Sequence, residues 1–125
     1  MFINISNHPS ERWSKEQQEA AQQYGTIKDL QFPNINPSFL SEDINKLVDN
    51  FIADVLILTN EVPEDNQLIV MVQGEFIFTF RLVFELKKAG IKVVAARSER
   101  KVVEKVVDGV TKKDSEFKFV GFMEY

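Results

Sequence analysis

One histidine, one glycine turn and one arginine segment hold the side chains in this sequence best suited to chemistry on an anion. His8 is the only histidine of the 125 residues. It follows a short apolar run, Met1 to Ile5, within the turn-forming stretch Ser6-Asn7-His8-Pro9-Ser10. In that position an imidazole can contact a phosphate or move a proton. Asn7 and Ser10 add groups that can orient a ligand. A loop histidine that only bonds locally is the plain alternative. Gln73-Gly74-Glu75 follows the β-branched run Leu68 to Val72 and opens a long apolar stretch. That is how a buried parallel strand hands over to a helix, whose first N–H groups can hold an anion. Gly74 would allow close backbone approach to a phosphate, although a turn alone would account for it. Glu75 suits a helix N-terminus through the macrodipole. The same carboxylate opposes an anion unless it points away or bonds a ribose hydroxyl. Arg97 and Arg100 follow the run Ile91 to Ala96. Arg97, at that strand's carboxyl end, is placed to pair with a phosphate, with solvation as its alternative role.

The elements that must position these residues read as alternating strands and helices. Met1–Ile5 is a strand. Ser14 to Gln17 resembles a capping box, starting a helix that runs to about Tyr24 with a thin apolar stripe of Ala20, Ala21 and Tyr24, and Trp13 packing at its start. Gly25 ends it. Thr26–Leu30, with two charges, suits an edge strand. Phe32 to Ser38 holds two prolines and two asparagines, so it is irregular. Ser41 is expected to cap a helix with Ile44, Leu47, Val48, Phe51, Ile52, Val55 and Leu56 on one face. Asn60 to Asn66 is a polar turn before the central strand. Glu75 to Ala89 has alternating phenylalanines, but its length, its closing lysines and Gly90 predict a helix. That helix is apolar nearly all round. It should therefore be buried against the sheet and against something else, for which a second copy of the chain is a candidate. Its aromatics read as core rather than as a base-stacking platform. Ile91–Ala96 is the next strand, stopping at Arg97. Val102–Val107 and Phe117–Phe122 read as an antiparallel hairpin around Asp108-Gly109, with a longer turn if Thr111 to Ser115 belongs to it.

The order β-α-β-α-β-α-β plus a hairpin implies an α/β fold: one domain over 1–125, with a mostly parallel sheet covered on both faces and a C-terminal antiparallel β-hairpin. Ligands in such sheets sit beyond the carboxyl ends of the strands, at the switch point. If the strand order is flavodoxin-like, the first and third strands adjoin there and three segments converge: Ser6 to Ser10, Gln73 to Glu75 and Arg97 to Arg100.

Composition limits what this rim can do. Fifteen Lys and Arg against nineteen Asp and Glu give a net charge of −4, against general coating of duplex DNA or RNA. One small anionic ligand remains compatible with it. With no cysteine there is no disulfide frame, zinc ribbon or thiol nucleophile. A single glycine is not a dinucleotide fingerprint, and there is no Gly-Lys-Ser/Thr phosphate loop, so no nicotinamide, flavin or NTPase site is expected. One histidine and no spaced carboxylate cluster argue against a metal site, and no cofactor is expected. No signal peptide and no membrane-spanning run is recognisable, so a cytoplasmic protein without membrane association is expected.

Asn7-His8-Pro9, Gln73-Gly74-Glu75-Phe76, Ala96-Arg97-Ser98-Glu99-Arg100 and Phe117 to Tyr125 together resemble a small CRISPR-associated family, the compact single-domain, Rossmann-like ring nucleases of type III systems. The similarity spans nearly the whole chain through motifs that are each short. It implies a homodimer that binds a cyclic oligoadenylate second messenger across its two-fold axis and opens the ring. A metal-independent attack of a ribose 2′-hydroxyl on the adjacent phosphate would do this. On the loop argument, Arg97 and His8 are the catalytic candidates. Ser6, Asn7, Ser10, Gln73, Gly74, Glu75, Phe76, Ser98 and Arg100 are the binding candidates. A protein that senses or sequesters the ring without cutting it would use the same pocket. A structural module that binds nothing is the third reading.

Overall fold

The computed structural model describes residues 1–125. The elements follow as β1 (Phe2–Ser6), a 3-10 turn (Ser10–Arg12), α1 (Lys15–Gln22), β2 (Ile27–Asp29), α2 (Ser41–Thr59), β3 (Ile69–Gln73), α3 (Phe76–Lys88), β4 (Lys92–Val107) and β5 (Val110–Glu124). They form one five-stranded sheet in the order β2-β1-β3-β4-β5. The first four strands are parallel, and β5 runs antiparallel to β4. This is the expected α/β architecture, with β1 and β3 adjacent in the flavodoxin-like manner. No helix is long and apolar enough to cross a membrane.

β1 is buried along its whole length, and β3 along all but Gln73, because helices cover both faces of the sheet centre. The pleat divides their side chains. Ile3, Ile5, Val70, Val72 and Val93 face one way and pack with Val48 and Val55 of α2 and Phe78, Leu82 and Leu86 of α3. Phe2, Ile69, Met71 and Val94 face the other way, with Trp13 and Ala21. The two helix layers are unequal. α2 and α3 have 19 and 13 residues, whereas α1 has 8 and buries only Ala21. The thin layer covers the amino-terminal half of its sheet face and leaves the carboxyl end open.

Several expectations change. The second helix is not capped by Ser41: Leu40 is its N-cap, and the Asp43 carboxylate accepts the Leu40 N–H at 2.9 Å. Leu56 lies outside the buried stripe, 46% exposed, because the helix face turns away from the sheet there. On α3 the inner residues are buried, but Phe76, Phe80 and Phe84 are exposed, so one chain covers only one side of this helix. β4 does not stop at Ala96. It runs on through Arg97–Arg100, and with β5 it forms a ribbon that projects past the sheet. Such a ribbon has solvent on both faces, so its strands need no apolar alternation. Opposed charges across it, Glu99 beside Lys118 and Lys101 beside Glu116, suit the pairing. The turn is the short one. Asp108 and Gly109 adopt φ 53° and 76°, the left-handed pair that a two-residue hairpin requires.

Gly74 is explained by packing. A Cβ there would lie 2.2, 2.3 and 2.8 Å from Phe32 ring atoms. Phe32 in turn packs edge-on against Phe78 at 5.2 Å between ring centroids. Gly74→Ala should therefore cost about 1–3 kcal/mol of stability by overpacking. Urea denaturation measures this, and an unchanged midpoint would mean that Phe32 moves aside freely.

Candidate functional site

On the open face, β1 changes character along its length. Phe2 is core, and the next two residues with the same orientation are Asn4 and Ser6, both buried. Beside them β3 runs Ile69, Met71, Gln73, and Ser6 pairs with Gln73 in register. The carboxyl end of this sheet face is therefore polar. Its groups bond chiefly to the chain itself. Ser6 Oγ donates to Asn4 Oδ1 at 2.7 Å and accepts the His8 N–H at 3.2 Å. Asn4 Nδ2 donates to the His8 carbonyl at 2.9 Å and to Asp29 Oδ1 at 2.8 Å. Trp13 Nε1 donates to the same carbonyl at 3.0 Å. The hydrogen bonds of His8 thus run through its backbone, and its imidazole stands exposed on a fixed loop.

A cleft of about 550 Å³ opens over this end of the sheet. Ser6, Asn7 and His8 form one side, and Arg12, Trp13, Ser14 and Gln17 a second. Met71, Gln73 and Gly74 form the floor, and Ala96, Ser98, Phe117 and Phe119 the far wall. None of its 14 lining residues is acidic, although the chain carries four more acidic than basic groups. Arg12 is its one guanidinium. One guanidinium in a lining without carboxylates, with apolar and amide surfaces beside it, fits a small anionic ligand that has a planar part. No three His, Cys, Asp or Glu side chains come together as a metal site.

Of the expected site residues, Ser6, Asn7, His8, Gln73, Gly74 and Ser98 meet at this cleft. The others do not. Ser10 is tied to the edge strand, its N–H 3.2 Å and its Oγ 2.9 Å from Asp29 Oδ2. Glu75 does not leave the α3 terminus free for an anion: its own carboxylate caps it, accepting from Ile77 N at 2.6 Å and Phe78 N at 3.2 Å. Phe76 points into solvent at the start of α3, on the other side of the sheet. Arg97 lies between Ala96 and Ser98, whose side chains line the cleft, so the pleat sends it to the opposite face, with Nη1 3.7 Å from Met123 Sδ. Arg100 donates to Ser115 Oγ across the ribbon at 3.1 and 2.9 Å. The arginine that reaches the cleft is Arg12, at the end of the 3-10 turn just beyond the loop. It was legible only as a neighbour of His8. The Phe117-x-Phe119 alternation was the available signal for the far wall.

Gln73 also has a structural role. Its Nε2 donates to the Ala96 carbonyl at 3.2 Å, and its Oε1 accepts the Ala96 N–H at 2.9 Å. The side-chain amide thus extends the ladder past Met71–Val94, the last paired position of β3 and β4. Gln73→Leu keeps the bulk and removes both bonds. It should cost about 1–3 kcal/mol and raise amide exchange at Ala96; wild-type exchange there would show that the bridge holds nothing.

Residues 1–123 match the family model described as "Uncharacterized protein MJ1673 family". No curated protein and no solved structure matches the chain.

Proposed function

We propose that this protein, which belongs to the MJ1673 family, is a CRISPR-associated ring nuclease that binds a cyclic oligoadenylate and opens it without a metal. The observation that carries the reading is the cleft free of carboxylates, beyond the carboxyl ends of β1 and β3, in a chain of net charge −4. A parallel sheet offers ligands that position. The motif resemblance supplies the ligand class.

The chemistry asks mainly for alignment. A ribose 2′-oxygen attacks the adjacent phosphorus in line and gives up its proton. The bond from phosphorus to the 5′-oxygen breaks, and that oxygen takes a proton. The products are a 2′,3′-cyclic phosphate and a 5′-hydroxyl. Arg12 replaces Arg97 as the group that holds the phosphoryl oxygens, where negative charge is stabilised in the transition state. His8 moves the proton, and Asn7 helps to orient the ribose. A second reading is binding without cleavage, in the manner of a sensor or a sequestering protein. It is favoured by one fact: Ser6, Asn4 and Gln73 are bonded within the chain, which leaves His8 as the one group in the cleft fitted to move a proton.

A homodimer belongs to the same proposal. Phe76, Phe80 and Phe84 follow one another at i, i+4 on α3 and are 89%, 72% and 55% exposed. Three phenylalanines in one stripe, with Ile77 half-exposed beside them, form a large apolar patch for a single chain. An isologous contact along α3 would cover it. Phe80→Glu should convert the dimer to a monomer in light scattering. A monomeric wild-type protein at micromolar concentration would remove this part.

Incubation of the protein with cyclic tetra- and hexa-adenylate should give linear products ending in a 2′,3′-cyclic phosphate. Arg12→Ala should weaken binding roughly 10- to 100-fold. His8→Ala should lower turnover by about 10²–10⁴ with little change in affinity. Arg97→Ala should leave both unchanged. Rings bound but still intact at excess protein would select the second reading, and rings neither bound nor cut would end both.

A further inference from the structure

The far wall of the cleft is aromatic because of one irregularity in β5. Arg97 pairs with Gly121, and the next residue, Ser98, pairs with Phe119, so Val120 is an extra residue in β5. In a regular strand Phe119 and Phe122 would point to opposite faces. The bulge puts them on the same face, with ring centroids 5.0 Å apart. Phe122 lies 4.8 Å from Phe2, which packs edge-on against Trp13 at 6.0 Å. A row of packed rings therefore leaves the core at Phe2 and passes through Phe122 to Phe119, and Phe117 follows two residues away on the same face of the strand. Phe117 lines the cleft with 73% of its surface exposed.

Across the ribbon Phe117 pairs with Arg100, whose guanidinium is turned to Ser115 Oγ. A largely exposed phenylalanine that lines the same cleft as Arg12, with no carboxylate among the lining residues, suits a flat, electron-rich ring joined to an anion. We infer that Phe117 and Phe119 are the base-stacking wall of the cleft: an adenine face lies against them while its sugar-phosphate meets Arg12 and His8. This rests on the nucleotide-binding reading above and adds to it the residues that hold the base. It also gives the ribbon a purpose at its root. The bulge that turns Phe119 inward is what makes a strand wall usable as a platform for a base.

Trp13 is the only tryptophan and lines the same cleft, so its fluorescence reports occupancy of the unlabelled protein. Cyclic tetra-adenylate and cyclic hexa-adenylate are titrated into wild type, Phe117→Ala, Phe117→Leu and Phe117→Tyr, with calorimetry as a second measure of binding. Stacking predicts that Phe117→Ala and Phe117→Leu both bind at least about tenfold more weakly, and that Phe117→Tyr restores wild-type affinity. Leu keeps apolar bulk without a π-face, and circular dichroism verifies that each variant is folded. If Phe117→Leu binds as tightly as wild type, stacking is wrong while the nucleotide site stands. If wild type binds neither ring by either measure, the nucleotide reading fails and the base wall with it.

Discussion

The structure depends on two polar side chains that are buried in the middle of a hydrophobic sheet. Asn4 and Ser6 are 1% and 9% exposed, and a buried polar group left without a partner costs about 1–3 kcal/mol. Neither can find enough partners within β1. Asn4 recruits the carbonyl of His8 and the carboxylate of Asp29, and Ser6 bonds Asn4 and the His8 backbone. Those bonds fold the loop back over the strand end and tie the edge strand β2 to its neighbour. Trp13 adds its indole N–H to the same carbonyl, which brings the 3-10 turn and Arg12 to the rim. The apparent cost of a polar strand centre is what builds one side of the cleft.

The opposite side is built by a departure from regularity. β4 and β5 would make an ordinary hairpin if they kept register. The extra residue at Val120 instead sends Phe117, Phe119 and Phe122 to one face, so the aromatic packing around Phe2 continues outward. Between the two sides lies a floor that the short α1 is too small to cover. The cleft is therefore a consequence of unequal helix layers: nineteen and thirteen residues on one face of the sheet, eight on the other.

Charge is placed with the same economy. The α3 terminus, which could have held an anion, is already satisfied by Glu75. Arg97 and Arg100 are spent on Met123 and Ser115 outside the cleft. One guanidinium, Arg12, is left lining a cavity without carboxylates, and it is in none of the chain's salt bridges.

What the sequence determined by itself was the architecture. The runs Met1–Ile5 and Leu68–Val72 are apolar because both their faces are buried, and that leaves a mark in composition. The 3.6-residue spacing of Ile44, Val48 and Val55, and the Asp108-Gly109 turn, are local rules of the same kind. Three strands, their helices and the hairpin follow from them, as does the adjacency of His8 and Gly74 once β1 and β3 are neighbours. What only the tertiary structure decided was which side chains face the cleft. That depends on the pleat and on register, where a shift of one residue sends Arg97 away and keeps Ser98, and one bulge brings Phe119 in. It also depends on partners remote in sequence: Phe32 against Gly74, Gln73 against Ala96, Asp29 against Ser10. Secondary structure is set by neighbours along the chain, and so can be read from it. The direction in which a strand residue points, and whether its polar group is already taken, is set by contacts across the sheet that no local pattern records.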